Sequence, residues 1–372
     1  MNVLLGLSVL TIACASASIW AAEEPRRLIE TRPGHRFWST REDRENLSRR
    51  AHEEGRCGGF MDITDYPIRG PLPPQSFRLL AGLEPKEQAN VLPLIREADE
   101  GNLISVITHL SAFEDRNYQT QSGVQAAEWI KDQYTRFAGN RPDIKVELVK
   151  HRFRQPSVIA TIQGSGPARD EIVVIGGHLD SISPGKAPGA DDNASGTATV
   201  MEAYRLIVKS GMRLNRTLQF MGYAGEEEGL LGSQDIATRY REEKKNVVGA
   251  LQFDMTMYPG SNPRMTYITD YTNRDLNRYT ERLSDEYVKA LWIEDECGYA
   301  CSDHASWTSA GYRSTFPFES AFGSDNPDIH TPRDTLDKLT PSHGLKYLKL
   351  ALAFGVEMAE VTTPGYRRPA SH

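Results

Sequence analysis

The chain has 372 residues, with 43 Lys and Arg against 50 Asp and Glu, for a formal net charge of −7. That length holds one large α/β domain or two smaller ones with ample buried core, and the acidic balance argues against a general nucleic-acid binder, which needs a basic face. Hydrophobic residues at 39% and charged residues at 25% describe an ordinary soluble globular protein and name no function.

Residues 3–22 are almost wholly uncharged, with a Leu/Ile/Val stretch running into the small residues Ala13, Ala15, Ser16, Ala17 and Ser18. This is the shape of a secretory signal peptide over 1–22, cut after Ala17 or at Ala21–Ala22. An n-region without Lys or Arg and the loose lipobox Thr11-Ile12-Ala13-Cys14 leave lipidation or an uncleaved anchor as alternatives. No later run is long enough to span a bilayer. The expected location is therefore secreted or periplasmic, without stable membrane insertion once the signal is removed. An oxidising destination makes Cys57, Cys297 and Cys301 disulfide candidates, one of them left unpaired.

Residues 23–85 mix arginines with acids and scattered Pro and Gly, from Glu24-Pro25-Arg26-Arg27 to Gly70-Pro71-Leu72-Pro73-Pro74, with little periodicity. They read as an extended or weakly ordered pro-segment or extension. Within them Gly55-Arg56-Cys57-Gly58-Gly59 offers an unpaired thiol, and a thiolate is a strong zinc ligand. Such a segment either restrains the catalytic part or merely aids folding and packs on its surface.

From about residue 86 the pattern becomes regular. Val124, Ala127, Ile130, Tyr134 and Phe137 fall at helical spacing, so 121–138 is expected as an amphipathic helix. Val146 and Leu148, then Val158, Ala160 and Ile162, alternate like strands with one solvated face. Ile172-Val173-Val174-Ile175 is apolar throughout, as in a central parallel strand covered on both sides. Further strands are expected at 217–224, 249–254, 264–269 and 314–318. Helices are expected from Val200 to Val208, from Leu276 to Leu291, and over Leu345, Leu348, Leu352 and Val356. Strands alternating with helices predict an α/β fold, a three-layer αβα sandwich on a mixed, mostly parallel central sheet. It should span 86–360 and be followed by a tail over 361–372.

Metal-competent residues sit just beyond the ends of these strands, where open α/β sheets place their sites. Strand 172–176 ends in Gly176-Gly177-His178-Leu179-Asp180-Ser181, and Gly189-Ala190-Asp191-Asp192-Asn193-Ala194-Ser195-Gly196 leads into the next helix. Strand 217–224 ends in Gly225-Glu226-Glu227-Glu228-Gly229, strand 249–254 in Asp254, and Asn326-Pro327-Asp328-Ile329-His330-Thr331 lies far downstream. A lone His or a run of three Glu is ordinarily a solvated surface. Their joint placement beside glycines, which let the backbone turn sharply, is what points to a site. Two His with several carboxylates suit zinc, or manganese or cobalt. His-Glu-x-x-His, Gly-x-Ser-x-Gly, phosphate-loop and dinucleotide motifs are missing. Cys297-Gly298-Tyr299-Ala300-Cys301 reads as a small disulfide-closed loop, since a zinc knuckle would need a second Cys pair.

These motifs, in this order and spacing, together with Asp254-Met255-Thr256, Ile268-Thr269-Asp270-Tyr271 and Pro317-Phe318-Glu319-Ser320, resemble peptidase family M28 over residues 85–360. Within it the chain is most similar to the bacterial secreted leucyl aminopeptidases. The resemblance implies the zinc-peptidase fold, a metallo-aminopeptidase acting on peptide substrates, and two zinc ions. It makes Asp192 the carboxylate shared by both ions, gives His178 and Asp254 to one and Glu227 and His330 to the other, and makes Glu226 the general base. Asp180 would hydrogen-bond the far nitrogen of His178, and the Asp192–Asn193 peptide bond is a candidate for the cis form. Met255, Tyr299, Phe316, Phe318, Phe322 and Ile329 would line an apolar pocket for the N-terminal side chain. Asp325 stands where an aromatic residue is expected, which puts a strict leucine preference in doubt. The alternatives are another zinc hydrolase, such as a carboxypeptidase using Arg313 or Arg333, a one-zinc glutaminyl cyclase, or a non-catalytic binding module. A monomer is expected.

Overall fold

The computed structural model describes residues 25–53, 59–68, 70 and 83–363. The signal segment 1–22 and Cys57 lie outside the described residues.

The chain begins with a hairpin, β1 (Arg27–Arg32) and β2 (His35–Ser39), followed by α1 (Arg41–Glu53) and a short β3 (Met61–Asp62) that pairs antiparallel with β1. Helix α1 carries Arg41–Glu45 and Arg49–Glu53 pairs at 2.7 and 3.0 Å, the i,i+4 spacing that supports an exposed helix. This corrects the expectation of a weakly ordered stretch for its described part. Met61 and Ile63 are buried against Leu230, Ala300 and Ala305. The amide of Asp62 donates to the Gly229 carbonyl at 3.1 Å, and the Gln234 side chain donates to both the Asp62 and Gly229 carbonyls at 2.8 Å. No periodicity marks this segment because its strands are short and its apolar partners, Leu230, Ala300 and Ala305, lie far downstream in the chain. Met61→Ala is expected to cost about 2–5 kcal/mol, as methionine-to-alanine changes in a closed core do, and a lower urea midpoint at unchanged slope would register it.

The main body follows as α2 (Gln88–Arg96), α3 (Glu100–Ser111), α4 (Gln121–Ala138), β4 (Ile144–Val149), β5 (Ser157–Ile162), β6 (Glu171–His178), α5 (Gly196–Ser210), β7 (Arg213–Leu214), β8 (Thr217–Tyr223), α6 (Leu231–Glu242) and β9 (Asn246–Gln252). It continues with β10 (Met265–Ile268), α7 (Arg274–Leu283), β11 (Trp292–Asp295), α8 (His304–Ser309), β12 (Ser314–Thr315), β13 (Pro317–Phe318), α9 (Pro341–Ala359) and β14 (Val361–Thr363). Helix α4 has the expected bounds because Thr120 caps it, accepting from the Gly123 amide, and Gly139 ends it.

The central sheet runs β12-β9-β6-β8-β5-β4. Strands β12, β9, β6 and β8 pair in parallel, and β5 pairs antiparallel with both β8 and β4. On β6, Val173 and Ile175 face the helices α3, α4, α5 and α9, whereas Val174 packs with Ile236 of α6 and Trp307 of α8 on the other side. Successive strand residues point to opposite faces, so a continuously apolar strand buries both and a three-layer αβα sandwich results.

Three expected bounds are corrected. The single strand at 314–318 is two: β12 joins the central sheet, while β13 pairs antiparallel with β10 in a second sheet, β11-β10-β13, so the chain changes sheets at Phe316. The expected helix to Leu291 ends earlier, in a wider turn over Ser284–Val288 closed by left-handed Lys289. Val361–Thr363, expected in the tail, pair antiparallel with β7.

Candidate metal centre

Every candidate side chain but one arrives from the carboxyl end of the parallel strands. His178 closes β6, Glu226 and Glu227 follow β8, Asp254 follows β9, and Asp192 occupies the turn 190–195 that enters α5. Consecutive residues on a strand would point opposite ways, yet Glu226 and Glu227 are both buried. The strand has ended before them, at Gly225 with φ +68°, a conformation that favours glycine. His330 comes from the loop after β13. It and Met255 are non-glycine residues with φ of 53° and 56°, sparsely populated values that gather at functional sites.

Asp192 stands between two imidazoles, with Oδ1 3.1 Å from His178 Nε2 and Oδ2 2.8 Å from His330 Nε2. Each imidazole nitrogen meets one further carboxylate: Asp254 Oδ1 at 3.2 Å from His178, and Glu227 Oε2 at 2.7 Å from His330. Donor atoms of His178, Asp192 and Glu227 all lie within 4.8 Å of one another. The Asp192–Asn193 peptide bond is cis, as the resemblance implies. The adjacent acids divide: Asp192 faces both imidazoles, while Asp191 Oδ1 accepts the Met257 amide at 3.4 Å.

The electrostatics are those of crowded buried acids. Burial pushes the Glu226 carboxyl well above the usual range against the pull of His178, with Asp254 adding to the rise, and Glu226 Oε2 has no hydrogen-bond partner. Burial and Asp192 push Glu227 up to about 8. Burial would raise Asp192 likewise, but hydrogen bonds from His178 and His330 outweigh it and hold its carboxyl well below the usual range. Burial works against the His330 imidazolium, yet Glu227 and Asp192 lift it to about 10. Four buried carboxylates against two imidazoles leave an excess of negative charge that the interior does not tolerate alone. A donor set of imidazoles and carboxylates on converging loops fits zinc.

The surroundings hold these groups in place. Asp180 Oδ1 lies 3.4 Å from His178 Nδ1, and its two oxygens accept the backbone amides of Glu226 and Glu227 at 3.1 and 3.3 Å. Ser302 donates to Asp254 Oδ2 at 2.6 Å. Asp334 accepts the amides of Asp191 and Asp192, both at 3.0 Å. The fully buried Arg116 donates to the carbonyls of Leu179, Pro188 and Gly189, bracing both ends of the loop that runs from β6 to Asp192. Sequence reasoning singled out neither Asp334 nor Arg116. Each is an isolated polar residue outside any motif, and only its burial marks it.

Met255, Tyr299, Phe316, Phe318 and Ile329 form one buried apolar cluster with Ile268 and the joined Cys297 and Cys301, and Phe322 packs on it. Asp325 is nearly buried beside them. Its Oδ1 accepts the Gly323 amide at 2.9 Å, and burial pushes its carboxyl up to about 6. A cleft of about 770 Å³ opens on Glu227 and His330 and reaches α1 on its far side. Glu228 lines it, its carboxyl raised to about 7 by burial and Asp180 against the pull of Arg44 and Arg41.

Residues 157–354 match the model of peptidase family M28. A probable leucine aminopeptidase of Trichophyton verrucosum is 38% identical over 370 residues, covering 96% of this chain and all of the relative. A second, from Arthroderma otae, is 40% identical over 342 residues, covering 89% of this chain and 92% of its own. The crystal structure of the LapA aminopeptidase of Legionella pneumophila superposes with a TM-score of 0.80 at 30% identity, covering 90% of this chain and 99% of that one.

Proposed function

This chain belongs to peptidase family M28 and is a metallo-aminopeptidase, and on that premise we propose that it uses two zinc ions and favours peptides with an apolar N-terminal residue. One observation carries the two-ion reading: each oxygen of Asp192 faces a different imidazole, and each imidazole nitrogen meets one further carboxylate. His178 and Asp254 would hold one ion, Glu227 and His330 the other, and Asp192 both. Zinc bound there would polarise the scissile carbonyl and make water a nucleophile at neutral pH.

The chain's own groups do the rest. Glu226 takes the proton of the attacking water and passes it to the leaving amine. Asp180 orients His178 and fixes the backbone that carries Glu226 and Glu227. The cluster of Met255, Tyr299, Phe316, Phe318, Phe322 and Ile329 receives the N-terminal side chain and excludes water, and Asp325 beside it disfavours acidic side chains. Residues 23–85 act as a retained extension, a reading supported by the buried contacts of Met61 and Ile63 and the hydrogen bonds of β3 to the loop after Glu227. Secretion is supported by the Cys297–Cys301 disulfide. Among the described residues no helix is long and apolar enough to cross a membrane.

Metal analysis of the purified protein, with zinc titrated back into apoenzyme, is expected to reach two zinc ions per chain as Leu-p-nitroanilide turnover reaches its plateau. Leu, Met and Phe p-nitroanilides should be cleaved faster than those of Asp or Glu. Full activity at one zinc would overturn the two-ion reading, and equal rates across the panel would overturn the apolar preference.

A further inference from the structure

The cleft that opens on Glu227 and His330 runs away from the apolar cluster, for none of the cluster's side chains lines it. With the N-terminal side chain in that cluster and the scissile bond at the metal centre, this cleft is open to the rest of the substrate. One wall is α1, which contributes Arg41, Arg44, Glu45, Ser48 and Arg49 to its lining. Those positions are spaced i, i+3, i+4, i+7 and i+8, a single helical face. Three guanidinium groups against one carboxylate make that wall basic, while Glu227 and His330 line the cleft at the metal centre.

The cleft thus offers carboxylates where it opens on the metal centre and guanidinium groups along α1, the charges that the amine and the carboxylate of a short peptide need. We propose that this face of α1 is a subsite for the free C-terminal carboxylate of short peptides, which makes the enzyme a processor of small peptides with unblocked C-termini. This deepens the aminopeptidase reading and rests on it. The planar guanidinium fork matches a carboxylate in two parallel hydrogen bonds. Arg49 pairs with Glu53 in an exposed i,i+4 contact that a carboxylate ligand can replace at little loss. The volume of about 770 Å³ suits a ligand of a few residues, within the range of small-molecule sites. The wall is anchored, because α1 follows a hairpin whose first strand pairs with β3, and β3 is tied to the loop after Glu227.

The test compares kcat/KM for Leu-Gly-Gly and for its C-terminal amide, with Leu-p-nitroanilide as the measure of aminopeptidase competence. In the wild type the free acid should be favoured about tenfold, carried mostly by KM, as expected for one charge-assisted contact. That ratio should fall to within about twofold of unity in Arg44→Ala/Arg49→Ala and in the single charge reversal Arg49→Glu, and should shrink for the wild type at about 0.5 M NaCl, where exposed charges are screened. A wild-type ratio of one with p-nitroanilide turnover intact would overturn the subsite alone. So would variants that slow the acid and the amide equally, which is what a merely structural role for α1 produces. Failure of the wild type to turn over Leu-p-nitroanilide would overturn the aminopeptidase reading and the subsite with it.

Discussion

Glu226→Gln is expected to lower kcat by about 10²–10⁴-fold, the range that a positioned acid–base group supplies, while zinc content stays that of the wild type. The physical reason lies in two neighbouring residues with different surroundings. Glu227 Oε2 is 2.7 Å from His330 Nε2, within the donor group of His178 and Asp192. Glu226 is equally buried but stands outside that donor group, and a carboxylate that holds no metal is left to carry a proton during the reaction. The amide isostere keeps size and polarity and removes only the ability to take that proton. Metal analysis alongside steady-state kinetics checks the result. A variant that keeps more than a few per cent of kcat would show that another group is the base.

Asp192→Ala should be more damaging to the metal than to the fold around it. On the proposed two-ion reading both ions would lose a shared carboxylate, so the variant should purify with little zinc and lose at least about 10³-fold in kcat, since a bound metal contributes several kcal/mol of charge stabilisation. His330→Ala removes a donor on one side only and should retain about one ion. The contrast follows from geometry: His330 Nε2 meets Asp192 Oδ2 and Glu227, whereas Asp192 Oδ1 also reaches His178. Equal metal loss in the two variants would argue against a shared ligand. Circular dichroism separates either outcome from unfolding.

Much of the catalytic body was legible residue by residue. The strand at 172–175 is apolar on every position because both of its faces are covered, and the helix at 121–138 announces itself by spacing and by Thr120 and Gly139 at its ends. The candidate donors His178, Asp192 and Glu227 stood out because glycines lie close to them near the ends of strands, whereas Asp254 and His330, with no glycine neighbour, came only from the order of motifs that resembles a family. The Cys297–Cys301 pairing was legible from its short loop. The split of 314–318 between two sheets was not. Local pattern records that residues are apolar and extended, and says nothing of which neighbour pairs with them.

What the sequence by itself determined is therefore the set of elements whose signal is local: periodicity, caps, and strand ends carrying the metal-competent side chains. What only the tertiary structure decided is the company those elements keep. Met61 and Ile63 are apolar residues in a stretch rich in charge and turns, and they count as core only because Leu230, Ala300 and Ala305 close over them. Asp334 and Arg116 are single polar residues whose partners, the amides of Asp191 and Asp192 and the carbonyls of Leu179 and Gly189, lie tens of residues or more away in the chain. The arginine face of α1 has meaning only because it lines the cleft that opens on Glu227 and His330. The physical reason is the same in each case: burial and pairing are properties of two surfaces, and a sequence window holds one.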